Sequence, residues 1–310
     1  MKKFIKAVPI PLAGVMLGFA ALGNLLQSYS ETLRYICGGV AGILLLLLLL
    51  KLIMFPSMIK EDLKNPIMAS VAATFTMGIM LLSVYVKPFI GTAAKYIWIL
   101  AIVLHILLIV YFTFKFMMKL DFTKVFASYF IVYVGIAAAG ITAPAYKMQS
   151  LGKLSFWFGF ITLLLLLILV TYRHLKFKNV PEPAAPLFCI FTAPASLCLA
   201  AYIQSVQPKS LGLIYFLAVL SFAIYVIVLC SLPRYLKLKF YPSYAAFTFP
   251  FVISAIAMKQ TMACLAKMGH PLPLLKYVVL IETIIATILV VYTLIKFLVF
   301  LVKQTEKQAA

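Results

Sequence analysis

Apolar residues run through this chain in long blocks, each closed by a short polar or proline-bearing interval, and Leu44 to Leu50 is an unbroken run of leucine. The blocks fall at about 8–27, 33–54, 67–86, 94–116, 125–143, 154–172, 185–204, 211–231, 243–263 and 275–301. Each is near the ~20 residues that cross a bilayer as a helix. The pattern predicts an all-α integral membrane protein of ten spans. The short connections leave no room for a soluble domain, so 1–310 is read as one transmembrane domain.

The blocks are of two kinds. The odd-numbered spans carry most of the helix breakers, among them Pro9, Pro11, Gly14, Gly18, Gly78, Gly135, Gly140, Pro194 and Pro250. The even-numbered ones, such as "GGVAGILLLLLLLKLIMF" and "FGFITLLLLLILVTY", are mainly leucine-rich. Lipid tolerates the second kind, whereas a loosened backbone survives where protein or water can satisfy it. Odd spans should therefore form an inner ring and even spans an outer one. The plainer alternative is that proline and glycine only aid packing, since both are frequent in membrane helices. A repeat weighs against it. Pro186 and Pro194 stand eight residues apart, as do Pro242 and Pro250, and Phe191-Thr192 matches Phe247-Thr248 in the same frame. Span three holds a weaker copy, Phe75-Thr76-Met77-Gly78. The starting prolines recur at intervals of one or two two-span units, which predicts five helical hairpins related by pseudo-rotation.

Composition sharpens this reading. The chain is 65% apolar, and its 27 lysines and arginines face only 7 acids, a net charge of +20. In a soluble protein that excess would suggest nucleic acid; between membrane spans it marks cytoplasmic loops. Eighteen of the 27 basic residues fall on the side that holds both termini. That side is expected to be cytoplasmic, in a cell (inner or plasma) membrane. The basic start before the first apolar run resembles a signal peptide, but Pro9, Pro11 and the lack of a small-residue cleavage site favour a retained span. Five scattered cysteines and three isolated histidines form no ligand spacing, so neither a metal nor a cofactor is expected. The few acids argue against an enzyme.

Three features inside the spans carry candidate chemistry. Phe249 stands immediately before Pro250 in the middle of span nine, where a proline would bend the helix. Thr76, Thr192 and Thr248 are candidate hydroxyl donors to a passing anion, or simply bond back to their own helices. Lys259 and Glu282 are intramembrane charges, which default to functional hypotheses. They form a structural ion pair, or Lys259 attracts anions in an outer vestibule and Glu282 serves as a titratable coupling group.

The segments "VPIPLAGVMLGFAALGNLL", "FTAPASLCLAAY" and "AAFTFPFVISA" resemble the tellurite-resistance/dicarboxylate transporter family (TehA-like), which includes the plant slow-type anion channels. The likeness covers the whole chain in span number and proline placement. Spans three and five lack the usual proline and are expected to bend less. The resemblance implies a homotrimer whose protomers each hold a central pore lined by the five inner helices. A phenylalanine of the ninth helix plugs that pore, and by motif match it is Phe249. The residues expected to line the pore are Gly14, Gly18, Thr76, Met77, Gly135, Ala193, Pro194, Thr248 and Pro250. The implied function is movement of small anions: chloride, nitrate, dicarboxylates, and sulfite or tellurite. The alternative is a proton-coupled carrier of malate-like dicarboxylates.

Overall fold

The computed structural model describes residues 2–177 and 179–307. Residues 1, 178 and 308–310 of the expected 1–310 domain lie outside that description. A short helix, Lys2–Ala7, precedes span one, Leu12–Leu26, across a turn containing Pro9 and Pro11. Nine further apolar helical segments follow: Glu31–Met54, Pro66–Ile90, Ala93–Met117, Tyr129–Tyr146, Gln149–Lys176, Glu182–Ser205, Leu211–Leu236, Pro242–Lys267 and Leu275–Lys307. Among the described residues these nine are long and apolar enough to cross a membrane; span one is shorter, at 15 residues.

Burial separates two layers. In spans three, five, seven and nine, 67% to 89% of the most apolar stretch is inside the protein, against 28% to 33% in the even spans. Span one belongs with the first group, since only Asn24 and Leu26 of its helix escape full burial. The inner spans pack in a ring, one on three, three on five, five on seven and seven on nine, and nine closes back on one. Each even span packs on the inner span before it and on the next inner span round the ring. The outward faces of the even spans are leucine, isoleucine and phenylalanine, such as Leu46, Leu165 and Ile288. That is the surface lipid requires.

The inner spans are not single helices. Span nine starts as a 3-10 helix over Pro242–Phe247, breaks at Thr248 (φ −98°, ψ −98°), and continues as an α-helix over Phe249–Lys267. Span seven changes from 3-10 (Glu182–Phe191) to α (Thr192–Ser205) in the same frame. Pro250 and Pro194 therefore open an α-helix rather than bend one. In the first turn a proline forfeits no hydrogen bond, because the N–H groups there have no intrahelical partner.

Spans three and five were expected to bend less, yet both are interrupted. Span three divides at Ala72, between Pro66–Val71 and Ala73–Ile90. Span five is α over Tyr129–Tyr133, 3-10 over Val134–Ile136, α over Ala137–Thr142 and 3-10 again over Ala143–Tyr146. The tightened turn leaves the Val132 carbonyl open, and His105 of span four takes it through Nε2 at 3.0 Å. Its Nδ1 lies 2.7 Å from Thr76 Oγ1 of span three. An outer-ring histidine thus ties the interrupted backbone of span five to span three and gives a buried carbonyl its partner.

Candidate functional site

The ring encloses a cavity of about 300 Å³, to which all five inner spans contribute. It opens between Asn65, Pro181 and Tyr241, at the end of the molecule where the inner spans begin. We call this the near face. The deepest residues along each span are Leu17, Met77, Gly135, Leu197 and the Phe249–Pro250 pair. Among the described residues, no charged side chain lines the wall. Its polar groups are few, among them Asn65, Thr74 and Ser243.

Phe249 is 5% exposed and borders the deep part of the cavity. Its equivalents in the repeat, Ala193 in span seven and Met77 in span three, border the cavity too. The threonines just before them turn away. Thr76 donates to Ala73 O or engages His105, Thr192 donates to Cys189 O at 3.1 Å, and Thr248 lies 2.7 Å from Ala245 O and 2.9 Å from Gly14 O. Cavity wall and outer packing therefore alternate within a single helical step, with the same phase in three spans.

Four inner α-helices longer than two turns start at this cavity, at Leu12, Ala73, Thr192 and Phe249. A helix start carries a partial positive charge, weakened where its first N–H groups are already bonded; here Leu12, Ala13 and Gly14 N–H donate to Pro9, Ile10 and Pro11 O, and Thr192 N–H donates to Cys189 O. The helix dipoles still turn their positive ends toward the wall, so it offers a modest positive potential, and among the described residues no fixed cation lines it.

Of the residues expected to line a pore, Gly14, Met77, Gly135, Ala193, Pro194 and Pro250 border the cavity with Phe249. Gly18, Thr76 and Thr248 do not. Gly18 is where spans one and nine touch: a Cβ there would lie 2.6 Å from Thr248 Cβ and 3.2 Å from Phe249 N. Thr76 and Thr248 are held by the bonds just described.

The two intramembrane charges are not paired with each other. Lys259 Nζ donates to Leu25 O at 2.8 Å and to Ser28 Oγ, and sits 4.8 Å from the centre of the Tyr29 ring. It caps the C-terminal end of span one, where a cation offsets unpaired carbonyls. Glu282 is 1% exposed in span ten, away from the cavity, and neither carboxyl oxygen has a hydrogen-bond partner among the described residues. The nearby Tyr225 hydroxyl is also unpartnered.

Position and sequence converge on one assignment. The family described as voltage-dependent anion channel, SLAC1, matches residues 8–298. The chain belongs to this family. None of the curated proteins compared with it matches. Membership in the SLAC1 family makes it an anion channel or transporter, carried on membrane-crossing helices. The family match reaches all ten helical segments, so the ring and its cavity lie inside the matched region.

Two features escaped the sequence. His105 reads as an isolated residue on a lipid-facing helix, and nothing in its neighbours names Val132. At the opposite end of the ring, the far face, Gln204, Gln207, Lys209, Gln260 and Lys267 border a second hollow between spans seven and nine. The nearest sequence signal is helical phase, which brings Gln260 closer than Lys259 to the Phe249 face.

Proposed function

We propose that the chain is a passive channel for small anions, with its conduit along the ring axis and the Phe249 ring as its plug. One observation carries this reading. An uncharged cavity built by five inner spans, with four helix starts at its wall, ends against an aromatic side chain that takes the place of alanine in the repeat. Helix starts favour an anion without holding it tightly, and conduction needs weak binding. The apolar wall makes loss of hydration the main barrier. Monovalent chloride and nitrate then pass more readily than dicarboxylates, sulfite or tellurite, which shed water from two charges.

Planar bilayers holding purified protein test this by anion substitution. Phe249→Ala is expected to raise basal anion current on the order of tenfold by removing an apolar constriction. A current equal to the parent's would rule the plug out. Assembly as a trimer, with one conduit in each protomer and both termini cytoplasmic, is part of the same proposal; crosslinking in native membranes and terminal tag accessibility test it.

A second reading, the proton-coupled dicarboxylate carrier, rests on Glu282, a buried carboxyl with both oxygens unpartnered. Against it stands the position of Glu282 on an outer helix, off the cavity. Uphill malate uptake driven by a pH gradient in liposomes, abolished by Glu282→Gln, would support the carrier.

A further inference from the structure

The hollow on the far face has a volume of about 480 Å³, and its lining includes Gln204, Gln207, Lys209, Gln260 and Lys267. Its relation to the axis follows from helical phase. In span seven the cavity-facing positions Ala193 and Leu197 lead to Gln204, eleven and seven residues on, both close to whole turns. In span nine Phe249 leads to Gln260, eleven residues on, and Lys267 follows one heptad later. The opposite side of span nine, Met258, Thr261 and Leu265, faces spans eight and ten. The hollow therefore lies on the axial side of both helices, roughly 16 Å beyond Phe249 at 1.5 Å per residue.

Its chemistry differs from that of the near cavity. Two ammonium groups and three carboxamides line it, and no acid does. The Gln260 Oε1 atom is buried there without a hydrogen-bond partner. The near mouth is electrically mixed: Tyr241 donates to Glu182 at 2.8 Å beside Pro181 and Pro183, with Lys239 close by. The remaining far-face acid, Glu31, lies outside the hollow and is committed to Arg34 at 3.5 Å and Gln27 at 2.7 Å.

We propose that the far hollow is an anion-recruiting site, which takes a small hydrated inorganic anion on Lys209 and Lys267 and hands it to the axial path. The amides of Gln204, Gln207 and Gln260 replace part of its water and, having both donors and acceptors, hold the water it keeps. The site rests on the channel reading for its purpose, though not for its binding chemistry. Like-signed charges lining a recess raise the local concentration of the opposite ion, and salt screens the effect. Anions entering from the far face then gain from the site, and the gain is greatest in dilute salt.

Two measurements test it. In the Phe249→Ala background, currents carried by chloride added from each face are compared with and without the pair Lys209→Gln and Lys267→Gln. At ~20 mM chloride the double substitution should cut entry from the far face by about threefold or more and leave near-face entry unchanged, and the difference should vanish at ~0.5 M. Lys153→Gln, a far-face lysine outside the hollow, should change neither. Equal losses from both faces, or none, overturn the proposal. The second measurement does not need conduction. Chloride NMR line broadening by the full chain in detergent should shrink with the double substitution; unchanged broadening overturns the site. If the Phe249→Ala parent carries no current while the broadening still depends on the two lysines, the channel reading fails and the binding site stands.

Discussion

Thr248 fills the space that a side chain on Gly18 would need, its Cβ lying 2.6 Å from where the Gly18 Cβ would be. The same threonine bonds across to Gly14 O, one turn earlier in span one. Spans one and nine, first and last of the inner ring, are thus joined backbone to side chain at the residue next to Phe249. We expect Gly18→Ala to push Thr248 outward and shift Phe249 with it. Overpacking of this kind costs about 1–3 kcal/mol. The check is a lower melting temperature in detergent together with altered basal current. A variant that melts like the parent would mean that span nine yields freely at Thr248.

A graded series at Phe249 should separate plugging from packing. Ala193 and Met77 hold the equivalent places, so the size of the third side chain decides what space remains. Basal anion current is expected to rise from Phe249 to Phe249→Leu to Phe249→Ala, and Phe249→Trp should stay closed. Currents that follow melting temperature instead of side-chain volume would point to packing alone.

Lys259→Gln should leave anion current unchanged from either face. Its ammonium serves the carbonyl end of span one, and a cation in that role contributes about 0.3–1 kcal/mol. The expected result is a small loss of thermal stability with intact conductance. A drop in far-face anion entry would return Lys259 to the conduction path.

His105→Ala removes the partner of the buried Val132 carbonyl. An unsatisfied buried group costs about 1–3 kcal/mol, and here it would fall behind Gly135, on the cavity wall. The variant should melt earlier, and His105→Gln should recover part of the loss because its amide can donate to the same carbonyl. No difference between the two substitutions would remove the hydrogen bond from the explanation.

The fold class was legible because lipid imposes it. Leucine-rich blocks such as Leu44–Leu50 can face hydrocarbon, and blocks broken by Gly14, Gly78 or Pro250 cannot, so the order of the rings follows from composition. The Phe-Thr-x-Pro frame also carried the equivalence of Phe249 with Ala193. What the sequence could not give was rotation about each inner span. A 3-10 turn advances about 120° per residue against 100° in an α-helix. Over the 6 residues of Pro242–Phe247 the phase drifts by about 120°. Lys259 therefore could not be assigned from the helix start, and it turns to Leu25 while Gln260 and Lys267 face the hollow. The pairing of His105 with Val132 was illegible for a related reason: it depends on a carbonyl set free by a local change of helix type in a different span.

The closure of span nine onto span one gives the molecule a seam, and the short Lys2–Ala7 helix lies against span ten beside it. Until the last hairpin enters the membrane the earlier four form an open arc, whose concave wall has no partner but lipid or a helper protein. The enclosed cavity and the Phe249 side chain at its deep end therefore come together only once the final fifth of the sequence is in place.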